Sequence, residues 1–182
     1  MIAEPTSLPG VVVVRSPVYG DSRGFFTEVF RDDQFASIGL PVSFAQDNHS
    51  RSVRHVLRGL HFQLEHPQGK LGRPVSGAIF DVAVDLRRSS PNFRQWVGVT
   101  LEAGDGRQLW IPPGFGHGFL VLSDVADVMY KCTTLYHPRS NRGLRWDDPE
   151  IGIEWPIEPG VTPIVSDADA AAPLLAASVC YE

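Results

Sequence analysis

Glycine and proline set the strongest limit on what this chain can fold into. Its 17 glycines and 15 prolines are scattered between short apolar runs, the punctuation of an all-β barrel or sandwich with few, short helices. The runs predict strands over Val11 to Arg15, Phe25 to Phe30, Val42 to Asn48, Val56 to Phe62 and Ala78 to Leu86. Further strands are predicted over Trp96 to Leu101, Gln108 to Ile111, Phe119 to Leu122 and Ala126 to Thr134. One helical turn or two fits Asp32 to Ile38, ended by Gly39 and Pro41, and another lies near Asp167 to Ala177.

The clearest strand is AIFDVAVDL, Ala78 to Leu86. Strict alternation puts Phe80, Val82, Val84 and Leu86 on one face and Ile79, Asp81, Ala83 and Asp85 on the other. One face is predicted to pack while the other carries carboxylates.

The chain has 182 residues, enough to close a substantial core as one domain over 1–182 without a metal or disulfide staple. No apolar run approaches the roughly 20 residues needed to span a bilayer, and no export signal is evident at the start. With Cys132 and Cys180 alone, a disulfide scaffold is not expected, and a reducing cytoplasmic setting is the simplest assumption. A net charge of −5 argues against a broad nucleic-acid surface, so any anionic ligand must be met locally. Only Lys70 and Lys131 of the 16 basic residues are lysines. Arginine suits bidentate phosphate clamps, whereas a lysine is a compact charge that can steer an oxyanion.

Chemistry is most concentrated in VLRGLHFQ, Val56 to Gln63, where Arg58 and His61 interrupt an apolar strand beside Gly59. A polar group on a packed strand carries a desolvation penalty and needs partners. Strict alternation would send Arg58 and His61 to opposite faces, so a bulge or kink at Gly59 is required if both are to serve one pocket. The six histidines show no spacing that supports a metal. His61 is followed by Phe62 and Gln63 instead of a second histidine at the alternate position, and His66 differs from it in parity beside Pro67. No GxSxG elbow, GxGxxG loop or GxxxxGK loop is present. Acid–base chemistry by a histidine, with a tyrosine, a lysine and an aspartate available, is what survives.

The motifs GDSRGFFTE (Gly20 to Glu28), QDNHS (Gln46 to Ser50), VLRGLHFQ, QGKL (Gln68 to Leu71), DVAVDLR (Asp81 to Arg87), QLWIPPGFGHGF (Gln108 to Phe119), YK (Tyr130, Lys131) and IEWP (Ile153 to Pro156) follow in this order. Together they closely resemble the dTDP-4-dehydrorhamnose 3,5-epimerase family, cupin-fold enzymes of dTDP-L-rhamnose synthesis. The likeness runs from about Pro9 to Leu175.

The resemblance implies a metal-free, cofactor-free cupin jelly roll, a homodimer with exchanged N-terminal strands, and a substrate of thymidine diphosphate linked to a 4-keto-6-deoxyhexose. By motif, His61 is the base, Asp169 in DADAAAPLL its orienting carboxylate, Tyr130 the acid on the opposite sugar face, and Lys70 the partner of the C4 oxygen. The same pattern puts Arg23, Glu28, Gln46, Asn48, Arg58 and His117 around the nucleotide diphosphate and sugar, with Phe25 and Tyr136 as candidates to stack on thymine.

Gly72 stands where a branched apolar residue is usual, Asn141 where a substrate-contacting glutamate can occur, and WDDP replaces WNDP. These departures keep open a single-carbon epimerase of a specialised deoxysugar pathway. From other classes, a noncatalytic sugar-nucleotide-binding cupin is disfavoured by the presence of His61, Lys70 and Tyr130. A metal-dependent cupin oxygenase is disfavoured by the ligand spacing.

Overall fold

The computed structural model describes residues 1–182 and is built almost wholly of antiparallel strands, numbered here in chain order. A six-stranded sheet runs β1 (Ile2–Pro5), β2 (Val12–Arg15), β10 (Arg107–Ile111), β7 (Lys70–Ser76), β12 (Val125–Cys132), β5 (Gln46–Val53). A five-stranded sheet runs β13 (Asn141–Gly143), β6 (Leu57–Gln63), β11 (Phe115–Val121), β8 (Ala78–Asp85), β9 (Trp96–Glu102). A separate hairpin pairs β3 (Val18–Asp21) only with β4 (Gly24–Thr27). The two sheets enclose a core that includes Val13, Leu109, Ala126 and Val128 from one and Ile79, Leu101, Phe119 and Val121 from the other. This is the all-β sandwich that the glycine and proline punctuation predicts, in the jelly-roll form that the family resemblance implies. No helix is long and apolar enough to cross a membrane.

Both outer faces are covered as well. Over the five-stranded sheet, Leu144, Ile151 and Leu175 pack on Leu60, Phe62, Val82, Val84 and Leu86, with Phe80 and Trp155 against them. Over the other sheet, Phe35 of the short helix α1 (Asp32–Ser37) packs with Val14, Leu71 and Trp110. The expectation that only one face of AIFDVAVDL packs is therefore corrected. Ile79 and Ala83 sit in the inter-sheet core while Val82 and Val84 lie under the C-terminal segment. Asp85, buried on the carboxylate face, is satisfied by Arg87 and Ser90.

Other boundaries moved for local reasons. β7 lies outside the strands expected from sequence, and its Gly72 and Pro74 are residues disfavoured in strand interiors. Pairing with β10 stops at Gly72 and the register with β12 shifts between Asp127 and Val128, so Pro74 lies where ladder bonds are already interrupted. β5 runs Gln46–Val53 rather than Val42 to Asn48, since its alternation is polar and carries no hydrophobic signal. β11 starts at Phe115 rather than Phe119, hidden by Gly116 and Gly118. α1 falls where expected, and the C-terminal helix is α2 (Asp167–Ala170) followed by a 3-10 turn over Leu175–Ala177.

Candidate active site

Along several strands the inward-facing row changes from apolar to polar at one end of the sandwich. On β12, Ala126 and Val128 belong to the core while Tyr130 and Cys132 continue the same row. On β7, Lys70 and Gly72 stand directly opposite Cys132 and Tyr130. From the facing sheet come His61 on β6, its register partner His117 on β11, and Asp81 on β8. The result is a cavity of about 130 Å³ lined by Ser50, Arg58, His61, Lys70, His117, Gly118, Phe119 and Tyr130.

Arg58 and His61 share this cavity because β6 is not a regular strand. Arg58 pairs with Phe119 and His61 with His117, so β6 has two residues between these positions where β11 has one. This bulge flips the parity. It is centred on Gly59, whose φ of 106° lies in the region that favours glycine. A Cβ on Gly59 would sit 2.5 Å from the His117 carbonyl oxygen, and one on Gly118 would sit 2.7 Å from that of Arg58. Two glycines thus let the strands approach while both polar side chains turn inward. Arg58 is held by Ser52 Oγ at 2.9 Å and by the Arg51 carbonyl at 3.3 Å.

His61 Nε2 lies 2.6 Å from Asp169 Oδ1, and Asp169 Oδ2 accepts from the Gly59 backbone N–H at 3.3 Å. Ser166 caps α2 by accepting from the Asp169 N–H, which leaves the carboxylate free to reach the site. Burial alone would raise the Asp169 carboxyl, but the His61 hydrogen bond and charge, with Gly59 and Ser166, hold it below the ordinary carboxylate range. An ionised Asp169 accepts only, so the proton of neutral His61 sits on Nε2 and Nδ1 is left as a base.

Burial pulls the Lys70 ammonium below the ordinary lysine value, opposed by Cys132 and Asp81. Burial pushes the Tyr130 phenol and the Cys132 thiol up, so both keep their protons at neutral pH. His117 is lowered chiefly by burial and also by Lys70 and His61, with Asp81 opposing. One wall therefore presents a basic imidazole nitrogen. The opposite sheet presents a protonated phenol and an ammonium.

The family model for dTDP-4-dehydrorhamnose 3,5-epimerase matches residues 5–177. The chain belongs to this epimerase family. It is 54% identical over 164 residues to the dTDP-4-dehydrorhamnose 3,5-epimerase of Methanothermobacter thermautotrophicus, covering 90% of this chain and 89% of that one. The Pseudomonas aeruginosa enzyme of the same description is 48% identical over 182 residues, covering 100% of this chain and 99% of its own. Among solved structures, the dTDP-6-deoxy-D-glucose-3,5-epimerase of Legionella pneumophila, in complex with dTDP-4-keto-L-rhamnose, superposes with a TM-score of 0.91. It is 46% identical to this chain, covering 96% of it and 93% of the Legionella chain.

Against the epimerase pattern, five of the residues expected from sequence line one cavity: Arg58, His61, Lys70, His117 and Tyr130. Asp169 stands behind His61. Asn48 pairs with Tyr130 and Gln46 with Cys132 on neighbouring β5. Gln46 Nε2 donates to Asn48 Oδ1 at 2.9 Å and Asn48 Nδ2 donates to Cys132 Sγ at 3.5 Å, so the amides are tied to each other and to β12. Arg23 and Glu28 do not line the cavity. Arg23 is on the β3–β4 hairpin in an ion pair with Asp21, and Glu28 follows it beside Arg31. Two polar groups of the site, one lining the cavity and one behind His117, were missed from sequence. Ser50 lies within QDNHS, and its buried Oγ has no hydrogen-bond partner. Asp81, bonded to His117, was visible only as a carboxylate in an apolar strand.

Proposed function

We propose that this protein epimerises dTDP-4-dehydro-6-deoxy-D-glucose at C3 and C5, giving dTDP-4-dehydro-L-rhamnose. The observation that carries this reading is the placement of the His61–Asp169 pair and Tyr130 on facing sheets around one cavity, with Lys70 beside them. A hydrogen next to a ketone becomes removable when the enolate is stabilised. His61 Nδ1 takes the proton from carbon, the C–H bonding pair becomes the enolate C=C bond while the carbonyl π pair moves onto the C4 oxygen, and the Lys70 ammonium meets the developing charge. The Tyr130 hydroxyl returns a proton to the opposite face of the same carbon, and exchange with solvent resets both groups. Each cycle removes one proton and restores one, so the reaction is redox-neutral and needs no electron carrier.

Arg58 is assigned to phosphate oxygens, and Gln46, Asn48 and His117 to the sugar nucleotide. The remaining binders follow from a homodimer. Tyr19, Phe25 and Phe26 are 64%, 62% and 68% exposed on a hairpin that pairs with no other strand, and a two-stranded ribbon is marginal alone. A second copy exchanging N-terminal strands would cover these rings and carry Arg23 and Glu28 to its partner's cavity. Two free thiols, Cys132 and Cys180, fit a reducing cytoplasmic setting.

Incubation of the purified, chelator-treated protein with the 4-keto sugar nucleotide in heavy water tests the reading. Deuterium at both C3 and C5 is expected. Label at one carbon would identify a single-carbon epimerase instead, and no label, or label lost on chelation, would sink the metal-free epimerase assignment.

A further inference from the structure

His61 and His117 are register partners lining the same cavity, and each is anchored through Nε2 by a different aspartate. The distances are nearly equal, 2.6 Å to Asp169 and 2.7 Å to Asp81. The mechanism above uses the first aspartate and leaves the second without a task. Asp81 is 1% exposed in the middle of β8, between the core residues Ile79 and Ala83. A carboxylate there carries a desolvation penalty that a leucine would avoid, so a purely structural role is a poor explanation.

The chemistry of the pair is specific. An ionised carboxylate only accepts hydrogen bonds, so the proton between the two groups belongs to His117 Nε2, and Nδ1 keeps its lone pair. The groups facing His117 are Lys70, His61, Asp81 and Tyr130, whose ring centroid is 6.5 Å away. Burial disfavours the imidazolium, Asp81 opposes that effect, and Lys70 and His61, cationic when protonated, add to the effect of burial, which keeps the imidazole neutral. The other polar groups of the cavity are mostly donors. Arg58 and Lys70 cannot accept, the Tyr130 hydroxyl is committed as the proton source, and the lone pair of His61 is committed to the carbon acid, which leaves the unpartnered Ser50 hydroxyl and His117 Nδ1 as side-chain acceptors. A sugar ring brings hydroxyls, which need an acceptor.

We propose that Asp81 is a positioning residue that locks His117 as a neutral hydrogen-bond acceptor, through Nδ1, for a hydroxyl of the sugar ring. The choice of a sugar hydroxyl rests on the epimerase reading. The state of the imidazole does not.

Nitrogen-15 NMR of the native protein at neutral pH tests the lock directly: the His117 ring is expected as the Nε2–H tautomer, with Nδ1 unprotonated. Imidazolium, or a proton on Nδ1, overturns the proposal whatever happens to any variant. Asp81→Leu supplies the second arm. It is expected to fold with a lowered melting temperature, because the buried His117 Nε2–H loses its acceptor, to lose the fixed tautomer, and to raise KM for the 4-keto sugar nucleotide about tenfold or more. The positions of deuterium uptake should stay the same. A folded Asp81→Leu protein with native KM, or raised KM with the Nε2–H tautomer intact, would count against the lock. Failure of the native protein to label any carbon would remove the epimerase reading while leaving the tautomer measurement to judge Asp81.

Discussion

Gly59 of β6 and Gly118 of β11 meet backbone to backbone: a Cβ built on Gly59 would stand 2.8 Å from the Gly118 Cα. This contact holds the bulge that aligns Arg58 with His61. Gly59→Ala adds a clash with the His117 carbonyl at 2.5 Å and places alanine at a φ of 106°. It should cost at least about 2 kcal/mol in denaturant titration and abolish epimerisation. Gly72→Ala is the contrast. Its Cβ would meet Asp81 Oδ2 at 3.6 Å and Tyr130 Cβ at 3.7 Å, ordinary contacts. A gain of about 0.5–1 kcal/mol with activity retained is expected. Equal behaviour of the two variants would show that the bulge does not organise the site.

Replacing Asp169 by asparagine should leave binding near native and lower kcat by about 10²–10⁴-fold, as when a histidine base loses its orienting carboxylate. The folded-state carboxyl lies below its unfolded value. Its stabilising contribution is therefore fully present above the unfolded value of about 3.9 and is lost as pH falls through the lower folded value. The stability gap between native protein and Asp169→Asn should close in that acid window. A gap that widens there would show that Asp169 is not ionised in the fold.

Lys70→Gln should reduce kcat about 10²–10³-fold by removing the cation that meets the enolate oxygen. Burial moves Lys70 down and Tyr130 up, so the alkaline limb of the kcat profile belongs to loss of the lysine charge. It should fall below the ordinary lysine value of about 10.4. A limb at or above that value would assign it to the phenol instead.

The hairpin makes a separate prediction about assembly. Phe26→Asp puts a charge among the exposed rings of Tyr19 and Phe25, so sedimentation should show a shift from dimer to monomer. Affinity for dTDP should fall with it, because Arg23 and Glu28 would no longer reach a partner's cavity. A dimer that survives the substitution with native affinity would place the subunit contact elsewhere.

Much of this architecture was legible in the residue order. Short runs between glycines and prolines implied an all-β fold, and the alternation of Ile79, Asp81, Ala83 and Asp85 placed carboxylates on one side of β8. Such patterns are local, because a strand's side chains alternate whatever it packs against. What covers each face is not local. The facing sheet that buries Ile79 and Ala83 and the C-terminal segment that buries Val82 and Val84 are both distant in the chain, so a strand expected to pack on one face is core on both.

The site divides in the same way. His61, Lys70 and Tyr130 were recognisable because each lies within a distinctive motif, and the awkward parity of Arg58 and His61 itself pointed to a kink at Gly59. Only the tertiary structure decided that Gly118 accommodates that kink, that Asp169 reaches His61 from 108 residues away, and that Asp81 spends its carboxylate on His117. The first set depends on residue type and spacing along one strand. The second depends on which strands become neighbours, a choice made by burial of the whole core rather than by any segment alone.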